Sequence, residues 1–298
     1  MKSGRPSDTA EAMAAARAFG SIIYRDEHIL EDPYARYFLG PRFKALYRLI
    51  RCSGTGRISH GLAALYDRML PGALGWVLTR HRYFDDAIEQ AVQGGARQLV
   101  LVGAGYDSRA FRQRALAQVK IFEIDHPDTQ ARKKQILQEE LGELPGNISY
   151  IALNATRGDL RQLPAHGFDR TVKAVFAVEG FLWYMPPDVA RAILGAIAEI
   201  AAPGSLVIFD HILPSVVDGT CPLEGARAHR AYCERRGEPI LFGVEPDQLA
   251  GYLRPIGLRL IEDVGSSDLV SRYANGSRRP LKVYPFLRIA RTEIVPSD

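Results

Sequence analysis

The chain has 298 residues, 47% of them hydrophobic and 24% charged, with a formal net charge of +4. That much apolar material can bury a full core, as one large domain or as a core with a cap, and it excludes a disordered or fibrous chain. The modest charge excludes a nucleic-acid stripe: the densest basic cluster, Arg278 and Arg279 with Arg272, Lys282 and Arg288 nearby, reads as a solvated face.

Residues 1–75 show no strand alternation and read as a helical cap. Ser7 and Asp8 can cap an Ala-rich helix over 9–19, and Asp32-Pro33 opens another through Phe38. No apolar signal core follows Lys2, and no later run approaches the ~20 apolar residues of a membrane span. From about Thr79 the pattern changes. A helix through Phe84, Ile88 and Val92 ends at Gly94-Gly95, and strands are expected at 98–102, 120–124, 148–153, 173–178 and 205–210. Such alternation implies a mostly parallel α/β sheet covered on both faces, so 76–298 is read as the core domain. The helix over 187–202 carries the apolar stripe Val189, Ile193, Ala196, Ile197 and Ile200, and Pro203-Gly204 stops it. Residues 211–243, rich in Pro, Gly, Arg and Cys, suit a lid-like insertion, and apolar runs at 258–261 and 283–290 suit a closing antiparallel pair. Cys52, Cys221 and Cys233 have no metal or redox spacing and cannot all pair, which fits a reducing cytoplasm.

The most informative stretch is Gln98-Leu-Val-Leu-Val-Gly-Ala-Gly-Tyr-Asp-Ser-Arg109, a buried-strand pattern running into a glycine turn. Gly103 and Gly105 let backbone approach a ligand, and Asp125, at the end of the next apolar run, can accept both ribose hydroxyls of an adenosine-type cofactor. The third glycine of a dinucleotide fingerprint is replaced by Ser108, and Asp107 puts a negative charge where a pyrophosphate would sit. A nucleoside with a cationic tail fits better than NAD, and S-adenosylmethionine has that chemistry. The ends of the expected strands add Glu123, Asn154, Glu179 and Asp210-His211 to one crevice.

Four segments together, Thr79-Arg-His-Arg-Tyr-Phe-Asp-Asp86, Gly103-Ala-Gly-Tyr-Asp-Ser-Arg109, Phe122-Glu-Ile-Asp-His-Pro127 and Glu179-Gly-Phe-Leu-Trp-Tyr-Met185, resemble the leucine carboxyl methyltransferase family. The closer likeness is to its bacterial branch of O-methyltransferases and polyketide carboxyl methyltransferases, and it extends from Ser7 to Leu287. The resemblance implies a class I methyltransferase fold of seven strands with the last reversed, and S-adenosylmethionine as methyl donor. It further implies that Arg80, with Arg82 as second candidate, clamps the cofactor's methionine carboxylate. Gly103, Ala104 and Gly105 would form the cofactor turn, with Asp125 and His126 near the ribose. Asn154 and Ala155 would meet the adenine, although the family has an acidic residue followed by Leu there. Glu179 would lie near the cofactor's amino group or the acceptor.

Methyl transfer is an in-line displacement at the sulfonium, which needs positioning, no metal and, for an ionised acceptor, no base. Tyr184, His211 and Glu179 are the catalytic candidates, and Phe19, Tyr24, Trp183 and Tyr184 the expected aromatic wall for a small-molecule acceptor. O-methylation in bacterial secondary metabolism is the leading reading, with C- or N-methylation of an aromatic such as an indole as the alternative. A nucleotide-dependent oxidoreductase and a non-catalytic binding protein on the same fold are the readings from other classes. Two further expectations follow. Asp125 should be without partners before ligand arrives, and residues 1–30 should serve the acceptor pocket while the cofactor contacts begin at Arg80.

Overall fold

Arginine-rich and alanine-rich helices precede the first strand in the computed structural model, which describes residues 7–53, 57–153, 159–277 and 281–296. Helix α1 (Asp8–Ile23) starts where Ser7 Oγ accepts from the Ala10 amide at 3.1 Å, the expected cap. It is followed by α2 (Pro41–Ser53), α3 (Arg57–Met69) and the long α4 (Ala73–Gln93). The core then alternates: β1 (Gln98–Val102), a single turn α5 (Arg109–Arg112), β2 (Lys120–Asp125), α6 (Pro127–Leu141), β3 (Ile148–Ala152), β4 (Ala174–Val178), α7 (Pro187–Ile200) and β5 (Leu206–Ile212). Next come α8 (Pro214–Asp218), α9 (Ala226–Arg235), α10 (Leu249–Leu253), β6 (Leu258–Val264), α11 (Ser266–Tyr273) and β7 (Leu287–Ile294).

The strands form one seven-stranded sheet in the order β3-β2-β1-β4-β5-β7-β6, with β7 antiparallel to both neighbours and the β1–β5 pairs parallel. All five residues of β1 are buried because the sheet is covered on both faces, so Leu99–Val102 form a continuous apolar run, and the buried Gln98 side chain donates to the Asp169 carbonyl. Leu99 and Leu101 pack with Phe84 and Ile88 of α4, while Val100 and Val102 pack with Ile193 and Ile197 of α7. The two-residue period of the strand thus feeds two separate cores. Helix α7 begins at Pro187 and buries Ile193, Leu194, Ile197 and Ile200, as its sequence stripe implies.

Helix α1 is not independent of the sheet. Ala16 and Ile23 belong to the same apolar cluster as Leu99 and Val175, and α4 continues that cluster across what was read as the cap boundary. The last strand begins later than its apolar run: Pro285, which has no amide to donate, and Phe286 form a turn, and the ladder starts at Leu287. Among the described residues no helix is long and apolar enough to cross a membrane.

Candidate functional site

The carboxyl ends of β1 and β2 lie side by side, with Val102 paired to Ile124, so the glycine turn and Asp125 meet without further adjustment. The amides of Gly103 and Ala104 both donate to the Ile124 carbonyl, at 2.9 and 3.0 Å, which folds the turn back over the sheet edge. Gly103 has φ +69°, and a Cβ there would stand 2.6 Å from the Phe181 ring. Gly105 has φ +48° and donates to Asp125 Oδ2. These two positions need glycine for conformation and, at Gly103, for space. Asp125 Oδ1 also accepts from the His126 amide at 2.5 Å. The expectation of a partnerless Asp125 is therefore overturned: its carboxylate braces the turn before any ligand arrives, because two amides of a tight bend would otherwise be left unsatisfied.

Behind the turn runs a buried network of ion pairs. Arg80 Nε donates to Glu179 Oε1 and its Nη1 to Asp210 Oδ2, both at 2.8 Å, while among the described residues Nη2 has only Met13 Sδ at 3.9 Å. Arg109, 0% exposed, uses all three nitrogens, on Asp85 (2.7 Å), Asp107 and Glu179 (2.6 Å). Arg112 pairs with the same Asp85, and Arg17 pairs with Asp32 at 2.8 Å, which in turn accepts from Ser108 Oγ at 2.7 Å. Four arginines (17, 80, 109, 112) thus face five carboxylates (Asp32, Asp85, Asp107, Glu179, Asp210). Burial alone would raise the Glu179 carboxyl, but Arg109, His81 and Arg80 hold it well below the usual range. Burial wins at Asp210, with one arginine against it and Glu179 reinforcing it, and pushes that carboxyl up to about 7. His81 bridges the layers: its Nδ1 is 2.8 Å from Glu179 Oε1, Arg17 Nη1 approaches its Nε2 at 3.3 Å, and burial lowers it to about 4, so the ring is neutral.

A cavity of about 440 Å³ joins the turn to a second, aromatic half. One half is lined by Gly103, Ala104, Gly105, Asp125, His126, Arg80 and Glu179. The other half is lined by Trp76 and Val77 of α4, Trp183 and Tyr184 after β4, His229 and Tyr232 of α9, and Tyr284. Ser7, Thr9, Ala10, Met13 and Arg17 close it from α1. The segment 211–243 supplies α9 and Glu238, whose carboxylate accepts from Thr9 Oγ1, so this segment and the first helix are tied at the cavity.

Residues 10–198 match the family described as leucine carboxyl methyltransferase. The chain belongs to that family. A relative from Mycobacterium marinum named "Putative S-adenosyl-L-methionine-dependent methyltransferase" is 34% identical over 202 residues, which make up 66% of this chain and 63% of that protein. The match thus spans less than two thirds of that relative's length. Among solved structures, a "putative methyltransferase" from Thermobifida fusca has 13% identity, a TM-score of 0.59 and coverage of 99% of this chain and 97% of that one. A DUF574 family protein from Streptomyces avermitilis has 13% identity, a TM-score of 0.60 and coverage of 95% and 97%. At that identity the likeness is one of fold: a class I methyltransferase sheet with its seventh strand reversed.

Several residues singled out in the sequence lie elsewhere than expected. Arg82 does not line the cavity; it sits on the outer side of α4, half-exposed, with Nε 2.8 Å from Asp86, because it is two positions from Arg80 and so on another face of the helix. His211 is also outside, with Nε2 3.0 Å from Asp263 Oδ1, since alternation along β5 sends it to the face opposite Asp210. Phe19 packs on Phe43 and Tyr47, and Tyr24 is buried in the core, so neither furnishes the aromatic wall; Trp183 and Tyr184 both do. Asp107 is not the bare charge its position suggests, because Arg109 pairs with it. The expected separation of residues 1–30 from the cofactor half fails as well: Ala10 Cβ lies 3.4 Å from where a Cβ of Gly105 would be, and Arg17 Nη2 donates to the Tyr106 carbonyl. Asn154 and Ala155 lie outside the described residues. Asp210, expected at the crevice as an acid ending a central strand, lies in the network on Arg80. The residues missed were Arg17 and, from the 211–243 segment, His229, Tyr232 and Glu238; His229 had no signal beyond its place in that segment.

Proposed function

We propose that this protein is an S-adenosylmethionine-dependent methyltransferase that O-methylates a small molecule in bacterial secondary metabolism. One observation carries the reading: a single cavity of about 440 Å³ runs from the glycine turn and Asp125 into an aromatic chamber roofed by α9. The residues present fit the cofactor. Asp125 stands at the strand end with a carboxylate that can take ribose hydroxyls while keeping its backbone amides, and Arg80 Nη2, which among the described residues meets only Met13 Sδ, is suited to the methionine carboxylate. Glu179 and His81 hold that guanidinium and its surroundings fixed. Residues 1–75 act as a cap and 211–243 as a lid over the core. When bound, the cofactor supplies an electrophilic methyl on a sulfonium. The protein's own contribution is placement and exclusion of water: near-attack geometry is worth roughly 7–11 kcal/mol, and a chamber closed by Trp183, Tyr184 and Tyr232 keeps competing water away from the methyl.

The test is transfer of an isotope-labelled methyl from S-adenosylmethionine into small-molecule extracts of an actinobacterium, read by mass spectrometry. A labelled methyl ether or methyl ester is expected. Label only on nitrogen or carbon contradicts O-methylation, and no transfer with no binding of S-adenosylhomocysteine contradicts the enzyme.

A further inference from the structure

The lid brings into the acceptor chamber a side chain that no motif marks. His229 lies on α9, whose start is pinned at Gly225 (φ +85°), where a Cβ would meet the Pro71 carbonyl at 2.7 Å and the Tyr284 ring at 3.1 Å. The imidazole stacks at a tilt on Tyr284 (5.0 Å between centroids) and on Phe286 (5.6 Å). Among the described residues its only polar contact is a long one, 3.9 Å from Nε2 to Cys233 Sγ, and that sulfur in turn lies 3.8 Å from Tyr184 Oη. The ring is thus held by aromatic packing, lines the cavity, and keeps its hydrogen-bonding capacity for something else.

The cations of the same cavity are arranged differently. Arg17 is occupied by Asp32, His81 and the Tyr106 carbonyl, Arg109 by three carboxylates, and Arg80 by Glu179 and Asp210 with one nitrogen left for the cofactor. Glu238 adds a negative charge at the lid. A carboxylate acceptor entering here would lose its water, find no cation among the described residues to replace it, and stand beside a network with more acids than arginines. A neutral hydroxyl meets none of those costs, and it does need a group to take its proton.

We infer, building on the methyltransferase reading, that the acceptor is a planar aromatic or enolic hydroxyl compound and that His229 takes the hydroxyl proton. As the methyl moves, the O–H proton passes to the free imidazole nitrogen and a lone pair of the oxygen forms the bond to the methyl carbon. The pair from the broken carbon–sulfur bond stays on sulfur. The imidazolium then gives its proton to water when the lid opens. Burial, with the Arg80 charge adding to it, lowers His229 to about 4, so the ring is in its neutral, proton-accepting form across the physiological range. The groups facing it are Cys233 on its own helix, itself in contact with Tyr184 after β4, Tyr284 and Phe286 ahead of β7, and Arg80 on α4.

The probes are 2-naphthol and 2-naphthoate, the same ring with a hydroxyl or a carboxylate, on the full chain and on His229→Gln and His229→Phe. Calorimetry with S-adenosylhomocysteine present should show 2-naphthol binding, no 2-naphthoate binding, and roughly tenfold weaker naphthol binding in His229→Phe, the loss of about one hydrogen bond. The imidazole nitrogen resonances of His229 should shift when 2-naphthol binds. Methyl ether formation should be flat between pH 6 and 8 for the natural chain, and in His229→Gln should rise by about tenfold per pH unit as the naphthol ionises by itself. Binding or esterification of 2-naphthoate, failure of 2-naphthol to bind while S-adenosylhomocysteine binds, or an unchanged pH profile in His229→Gln overturns the inference. Failure to bind S-adenosylhomocysteine brings down the methyltransferase reading instead.

Discussion

Replacing Arg109 with Met is expected to cost about 3–5 kcal/mol of stability, because it leaves Asp85, Asp107 and Glu179 buried with less countercharge. For a chain of this size that lowers the thermal midpoint by roughly 10 °C. The size of the effect comes from what is left behind: Arg109 is wholly buried and its three partners cannot all find other cations, since Arg80 and Arg112 already serve Asp210 and Asp85. The control is Arg161→Met, which breaks an exposed pair with Glu199 and should leave the midpoint where it was. Differential scanning calorimetry of both variants checks the claim, and a midpoint within about 2 °C of the natural chain for Arg109→Met would show that the network relaxes without its centre.

The second large effect is on ligand discrimination. The network's surplus carboxylate is Asp210, 0% exposed, held by Arg80 and the Gly180 amide and raised by burial to about 7. A raised carboxyl is protonated in the folded chain at pH values where the unfolded chain has already released its proton. Its contribution therefore favours folding below about pH 4 and is lost as pH rises through about 7. Ligands feel the same titration with opposite sign. S-adenosylmethionine carries one more positive charge than S-adenosylhomocysteine, so its relative affinity should rise as Asp210 ionises. One charge at roughly 10 Å through an effective dielectric of about 20 is worth about 1.7 kcal/mol, which is more than tenfold. Calorimetric affinities at pH 6 and pH 8 should show that rise in the natural chain and none in Asp210→Asn. Glu123, paired with Lys133 behind β2 and also raised by burial to about 7, titrates in the same interval, and the Asp210 variant separates the two. A ratio that changes equally in Asp210→Asn assigns the effect to Glu123 or to the ligand.

The glycine-turn half of the cavity was legible because its determinants are local. A four-residue apolar run, a turn that demands glycine and an acid at the end of the next strand are each set by backbone geometry, and parallel pairing brings them together. The same logic placed Glu179 at the end of β4 and, with α7, the covered sheet. The pairing of the acid–arginine network was not legible. Glu179 and Asp210 end strands, but Arg17, Asp32, Asp85 and Arg109 are far apart in the chain, and each alone has the look of a surface charge; only the packing of α1 and α4 on the sheet removes them from water. The aromatic wall was half legible. Trp183 and Tyr184 follow a strand end, whereas Phe19 lies in, and Tyr24 caps, a helix whose apolar residues surround more than one face, so residue type could not say which face meets the cavity. His229 was hidden for a different reason: α9 is mostly polar, and its one buried face is recognised only against Tyr284 and Phe286.

The placement of both ligands is tested most directly by the crystal structure of the complex with S-adenosylhomocysteine. The account predicts ribose hydroxyls on Asp125, the amino-acid carboxylate on Arg80 Nη2, and the sulfur turned toward the chamber between Trp183, Tyr232 and His229. A sulfur turned toward the open side, with His229 and Tyr232 out of reach of where a methyl would stand, would contradict it.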